Sequence, residues 1–160
     1  MPCEPCEEHS YRMARLWRQS EIAGTELGFS VCQRDEKEMV RRECKGKECT
    51  TTLPLCNPGE TLVLTFHTHP PSTIRWPSLE DFVIAHRANE PIMCVMVNGL
   101  RSCHDISRLT MRDIAGIKAV IHEFNSAEKK KRDFDAYMAA LEKYKKKAEA
   151  ISLKTLIWEK

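Results

Sequence analysis

Apolar positions first recur at helical spacing over residues 9–19 (HSYRMARLWRQ), where Met13, Leu16 and Trp17 mark one face of an amphipathic helix. Residues 21–33 carry Gly24 and Gly28 among apolar and β-forming residues and read as a strand. Residues 38–55 mix charge with the run Thr50-Thr51-Thr52 and read as one or two strands around Gly46. Asn57-Pro58-Gly59 is a turn, and residues 61–68 (TLVLTFHT) are a strand by composition. Residues 70–77 hold Pro70, Pro71 and Pro77 and must be a loop, since proline has no amide hydrogen to give a ladder. Ser78 then caps a helix running to about residue 89. Residues 92–97, Asn98-Gly99 and residues 100–106 spell a hairpin with a two-residue turn. From Thr110 onward the pattern is helical. Met111, Ile114, Ile117, Ile121 and Phe124 form one stripe, resumed by Phe134, Tyr137, Leu141, Tyr144, Ala148 and Ile151. A helix followed by mixed strands with helices between them predicts an α/β sandwich with a largely mixed sheet.

The 160 residues fit one domain and exclude a (β/α)₈ barrel, which needs about 250. Twenty-five basic and 23 acidic side chains leave a net charge of +2, which argues against a nucleic-acid binder driven by bulk charge. That charge is uneven. Residues 127–160 hold ten Lys/Arg and six Asp/Glu, a net of +4, so residues 1–126 sum to −2. No apolar stretch approaches the roughly 20 residues of a membrane span. The opening MPCEPCEEHS has no basic, apolar leader pattern, so the expected location is the cytoplasm.

Eight cysteines are many for a reducing compartment, and disulfides, a metal site and buried thiols compete to explain them. One pair follows from geometry. Opposed residues of a two-residue hairpin share a constant index sum, here 197, and 94 plus 103 meets it. Cys94 and Cys103 therefore face each other at a non-hydrogen-bonded position, about 4.5 Å apart at Cα, within disulfide range. A Cys94–Cys103 disulfide in an intracellular protein would point to a thermophile source. Cys3-x2-Cys6 and Cys44-x4-Cys49 could instead hold a structural zinc; Cys32 and Cys56 leave their pairing open.

The densest chemistry lies in LTFHTHPPSTIRWPSLED, residues 64–81. His67 and His69 are two apart at a strand end, so both imidazoles lie on one face and can converge on one ion. Ser78 and Asp81 are three apart at a helix start and share its face. Two imidazoles and a carboxylate make a three-ligand set for Zn²⁺ with an open fourth position for water. The string His67-x-His69-Pro70-x7-Ser78-x2-Asp81 resembles the signature of the JAMM (MPN+) metalloproteases, with Thr68 acceptable between the histidines. Five fixed positions at that spacing would arise by chance on the order of once in 10⁵ chains of this length. The family's upstream Glu-x-x-Gly-x-x-x-Gly is matched by Glu21, Gly24 and Gly28, with Glu26 a rival for the glutamate because Thr25-Glu26 stands where relatives are apolar. Other two-histidine motifs do not fit. A metallo-β-lactamase would need Asp-His after the second histidine, and zinc deaminases need His-x-Glu with a later Pro-Cys-x-x-Cys.

The resemblance implies a cytidine-deaminase-like JAMM/MPN sandwich, a mixed β-sheet flanked by helices, over residues 1–125, with a helical C-terminal extension over 126–160. It implies one catalytic zinc on His67, His69 and Asp81, Glu21 as general base and Ser78 as oxyanion donor. The implied activity is that of a deubiquitinase-like isopeptidase, hydrolysing peptide or isopeptide bonds at the C-terminus of ubiquitin-like proteins. Arg75 and Trp76, between the ligands, are candidate substrate contacts. The alternatives are a non-catalytic MPN scaffold and a JAMM-fold protein of another substrate class, either DNA-repair-associated or a small-peptide or sulfur-carrier hydrolase. The C-terminal stripe predicts either a homodimer or a helix folded back on its own domain.

Overall fold

The computed structural model describes residues 3–46, 56–69, 91–97, 99–128, 134–151 and 153–159. Among these described residues, ten elements succeed one another: α1 (Glu4–Glu8), α2 (Ser10–Ala23), β1 (Leu27–Arg34), β2 (Lys37–Lys45), β3 (Thr61–His69), β4 (Ile92–Val97), β5 (Leu100–Asp105), α3 (Met111–Glu128), α4 (Phe134–Glu149) and β6 (Lys154–Glu159). The strands form one mixed sheet in the order β2-β1-β3-β4-β5-β6. Within it β3 and β4 are parallel, and the other neighbours run antiparallel.

Local chemistry sets the element ends. Gly24 takes a left-handed φ of 66° and its amide returns to the Ser20 carbonyl, which stops α2. Asp35 and Glu36, both at positive φ, make the tight β1–β2 turn. Thr110 and Asp113 form a reciprocal capping box at the start of α3, each side chain accepting from the other's amide. Gly99, at φ 79°, lies in the β4–β5 turn, and the strands pair in the expected register with Cys94 opposite Cys103.

Alternation along the strands sorts side chains onto two faces. One face carries Phe29, Val31, Leu64, Phe66, Cys94, Met96 and Cys103, packed against Met13, Leu16 and Trp17 of α2 and the cysteines of α1. The other carries Met93, Val95 and Leu100, packed against Ile114, Ile117 and Phe124 of α3 and Ala140, Tyr144 and Ala148 of α4. Phe124 and Tyr144 meet edge to face at 5.4 Å. The chain is thus an α/β protein with a mixed sheet flanked by helices on both sides.

Two expectations are corrected. Residues 154–159 are not part of a helical extension. They form β6, which extends the sheet beyond β5, with Ile157 opposite Cys103 and Thr155 opposite His104. The helical stripe ends with Ala148 and Ile151, and the β-favouring Thr155-Leu156-Ile157-Trp158 takes over. Leu153 and the buried stripe of α4 share the core with Met93 and Val95, so the segment beyond 125 is built into the same hydrophobic cluster as the sheet. Residues 21–23 are helical rather than strand, because α2 runs on to Ala23 before Gly24 caps it. The expected helix over 78–89 lies outside the described residues.

Candidate metal centre

The last residues of β3 carry the site. Phe66 and Thr68 turn toward the α2 side, and Thr65, His67 and His69 turn toward the α3–α4 side, as alternation requires. His67 and His69 are 8% and 4% exposed, and their Nε2 atoms lie 3.1 Å apart with ring centroids 5.0 Å apart. Tetrahedral zinc with 2.0–2.1 Å bonds to nitrogen places two ligand atoms about 3.3 Å from each other. The two imidazoles therefore fit as two ligands of one zinc ion. They stand at the carboxyl end of a strand paired in parallel with β4, the end of α/β sheets at which ligands gather.

Gly28 makes room for this pair. It is opposite His67 in the β1–β3 register. A Cβ there would collide with the Phe66 carbonyl and come within 3.1 Å of His67 Cβ and 2.9 Å of Cys44 Sγ. A side chain at 28 would thus push on the imidazole it faces.

The two candidate glutamates are placed differently. Glu21 is exposed on the last turn of α2, the helix packed on the face opposite the histidines. Glu26 immediately precedes β1. Gly28↔His67 and Phe29↔Phe66 pair with a constant index sum of 95, and continuing that register sets Glu26 level with His69. The Glu26 carbonyl accepts from the Gly46 amide at 2.7 Å, which keeps the residue in line with the strand. Its side chain is half-buried. Both glutamates thus flank the α2–β1 connection, Glu21 on the last turn of α2 and Glu26 immediately before β1.

A hydrogen-bond relay that the motif alone does not disclose holds this junction. Thr68 accepts from the Leu27 amide at 3.0 Å and donates to Ser20 Oγ at 2.7 Å; Ser20 donates to the Thr25 carbonyl at 2.6 Å. Thr68 and Ser20 are fully buried. The residue between the histidines thereby fixes the α2–β1 connection, which carries both candidate glutamates at its ends. A serine on the apolar face of α2, four residues after Leu16, is the trace of this in the sequence.

Ser78, Asp81, Arg75 and Trp76 lie outside the described residues. Cys94 and Cys103 are disulfide-bonded, as are Cys3 with Cys6 and Cys32 with Cys56. Cys44 is also disulfide-bonded, so no cysteine among the described residues is free. Three other groupings of potential ligands occur among the described residues: Glu8, His9 and Glu38; Cys32, Cys56 and Glu60; and Cys6, Cys94 and Cys103. In the first, burial raises the Glu38 carboxyl above the usual carboxylate range, with the neighbouring Glu8 adding to it. Also on the histidine face, His104 is fully buried and its pKa is pushed down to about 3, chiefly by burial and secondarily by the charge of Lys145. No helix among the described residues is long and apolar enough to cross a membrane. No protein-family model, curated protein or solved structure matches the chain.

Proposed function

We propose that the chain is a zinc-dependent metalloprotease of the JAMM (MPN+) type, with a JAMM sandwich as its fold, cleaving peptide or isopeptide bonds at the C-terminus of ubiquitin-like proteins. The observation that supports this most is the buried His67–His69 pair, its Nε2 atoms 3.1 Å apart at the end of β3. His67, His69 and Asp81 would hold the ion. When bound, zinc lowers the pKa of its water toward about 7 and polarises the scissile carbonyl.

The chain's own residues supply the rest. Glu21, the glutamate of the motif, is the general base, with Glu26 its rival, taking a proton from the water and delivering it to the leaving amine. Ser78 donates a hydrogen bond to the developing oxyanion. Thr68 and Ser20 are positioning residues that hold the start of β1 against β3. An extended tail ending in glycines suits the site, because such a tail can pair along a strand. Arg75 and Trp76 are its candidate contacts.

Metal analysis with a cleavage assay tests the reading. About one zinc per chain, lost with activity in His67→Ala, is expected on a linear ubiquitin-like fusion. Protein that binds no metal at this site, or cleavage that survives His67→Ala, would overturn it.

A further inference from the structure

On the face opposite the histidines, four cysteines far apart in sequence meet. Cys3 and Cys6 bracket the first turn of α1, and Cys94 and Cys103 face each other on β4 and β5. The sulfurs of Cys6, Cys94 and Cys103 all lie within 4.8 Å of one another, and Cys6 Sγ is 3.9 Å from Cys94 Sγ. A tetrahedral zinc with 2.3 Å bonds to sulfur has its ligand atoms about 3.8 Å apart, so the contact between the two pairs already has the span of one edge of such a site. All four residues are buried, between 0% and 5% exposed.

The surroundings suit thiolates. The Cys6 amide donates to Cys3 Sγ at 3.3 Å, a contact that favours the charged sulfur. The buried guanidinium of Arg101, two residues before Cys103 and on the same face, donates to the Cys6 carbonyl at 2.9 Å and reaches Met13 Sδ at 3.9 Å. The same guanidinium pairs with Glu7 of α1 and Glu159 of β6, which holds α1 against the sheet beside the sulfurs. The Cys3-x2-Cys6 spacing is that of a zinc knuckle.

We propose that Cys3, Cys6, Cys94 and Cys103 form a redox-gated structural metal site, two disulfides when oxidised and one four-thiolate zinc centre when reduced. Two molecules of a dithiol reductant, each oxidised to its own disulfide, supply the four electrons and four protons that open both bonds. Binding of Zn²⁺ then releases four thiol protons to solvent and forms four zinc–sulfur bonds. The two states hold the chain differently. The disulfides close loops of only 3 and 9 residues, and neither ties α1 to the sheet. The metal would cross-link α1 to the β4–β5 hairpin.

The test uses the full chain carrying His67→Ala and His69→Ala, so that it is independent of the catalytic reading. Protein reduced with dithiothreitol, desalted anaerobically and titrated with Co²⁺ is expected to bind one equivalent. The spectrum should show intense sulfur-to-cobalt charge transfer and tetrahedral visible bands, displaced by Zn²⁺. Adding Cys6→Ser and Cys94→Ser should abolish it; adding Cys44→Ser and Cys49→Ser should leave it intact. X-ray absorption of the zinc-loaded form should show four sulfur neighbours, a reading that does not depend on the variants folding. No thiolate spectrum in the reduced protein, a mixed nitrogen–sulfur shell, or a spectrum that survives Cys6→Ser with Cys94→Ser would overturn the proposal.

Discussion

The two faces of the central sheet are made by the same strands, yet they bury different chemistry. The α1–α2 side is lined by Phe29, Leu64, Phe66 and Met96 with cysteines and one arginine among them. The α3–α4 side buries Thr65, His67, His69, Ser102 and His104 beside its apolar residues. Buried polar groups are costly unless satisfied, so this face must meet more imidazole and hydroxyl hydrogen bonds than the other. Each face also depends on the other. Thr68 points away from its histidine neighbours and secures the site from behind, through Ser20 of the opposite layer.

The sharpest way to break the contrast is at the histidines themselves. His67→Ala or His69→Ala should remove the metal and bring cleavage to background; losing groups that merely support metal ligands already costs about 10–100-fold. Next in size is the division between the glutamates. Glu21→Gln should keep the metal and slow cleavage by about 10²–10⁴-fold, the usual contribution of a general base. Glu26→Gln should change the rate by less than about twofold. The reverse ranking in steady-state kinetics would move the role to Glu26.

The surroundings of the histidine pair show what the sequence could disclose. The motif spacing led to His67 and His69 because a strand of composition TLVLTFHTH leaves little choice of geometry: two residues apart means one face. The hairpin was equally readable, since Asn98-Gly99 fixes the turn, and the turn fixes which cysteines oppose. The end of α2 was less readable, because it is decided by tertiary contacts. Ser20 is drawn into the core by Thr68, and Gly24 is the residue that can adopt the left-handed cap. β6 was hidden for a related reason. Ala148 and Ile151 prolong the helical period to the point where Lys154–Glu159 begins, and only the open side of β5 explains why the chain changes to a strand.

A smaller effect separates the faces by pH. His104 is neutral in the folded protein down to about pH 3, against an ordinary value of 6.5. Between those values the unfolded chain binds a proton that the folded chain refuses. Stability is therefore full above about pH 6.5 and falls as pH drops toward 3. Each tenfold difference in proton affinity between the folded and unfolded chain is worth about 1.4 kcal/mol, so a few kcal/mol are at stake. Urea unfolding between about pH 7 and 4 should show this slope, and His104→Leu should flatten it. An unchanged slope would assign the acid sensitivity to another group.

Least in magnitude is the link between the layers. Thr68→Val leaves Ser20 and the Leu27 amide short of a partner, which should cost about 1–3 kcal/mol. If Thr68 positions the general base through the α2–β1 connection, kcat should fall while metal content stays at the wild-type level. A loss of stability with kcat unchanged would make the relay structural only.

The last strand has a consequence for biosynthesis. β5 receives its second neighbour from residues that follow it by about fifty positions, and Arg101 finds Glu159 only then. A ribosome-bound chain that has finished the β4–β5 hairpin presents a row of unpaired backbone groups along β5 until translation passes Lys154–Glu159. Expression of this protein should therefore be sensitive to truncations that remove those six residues, with the shortened product recovered in inclusion bodies.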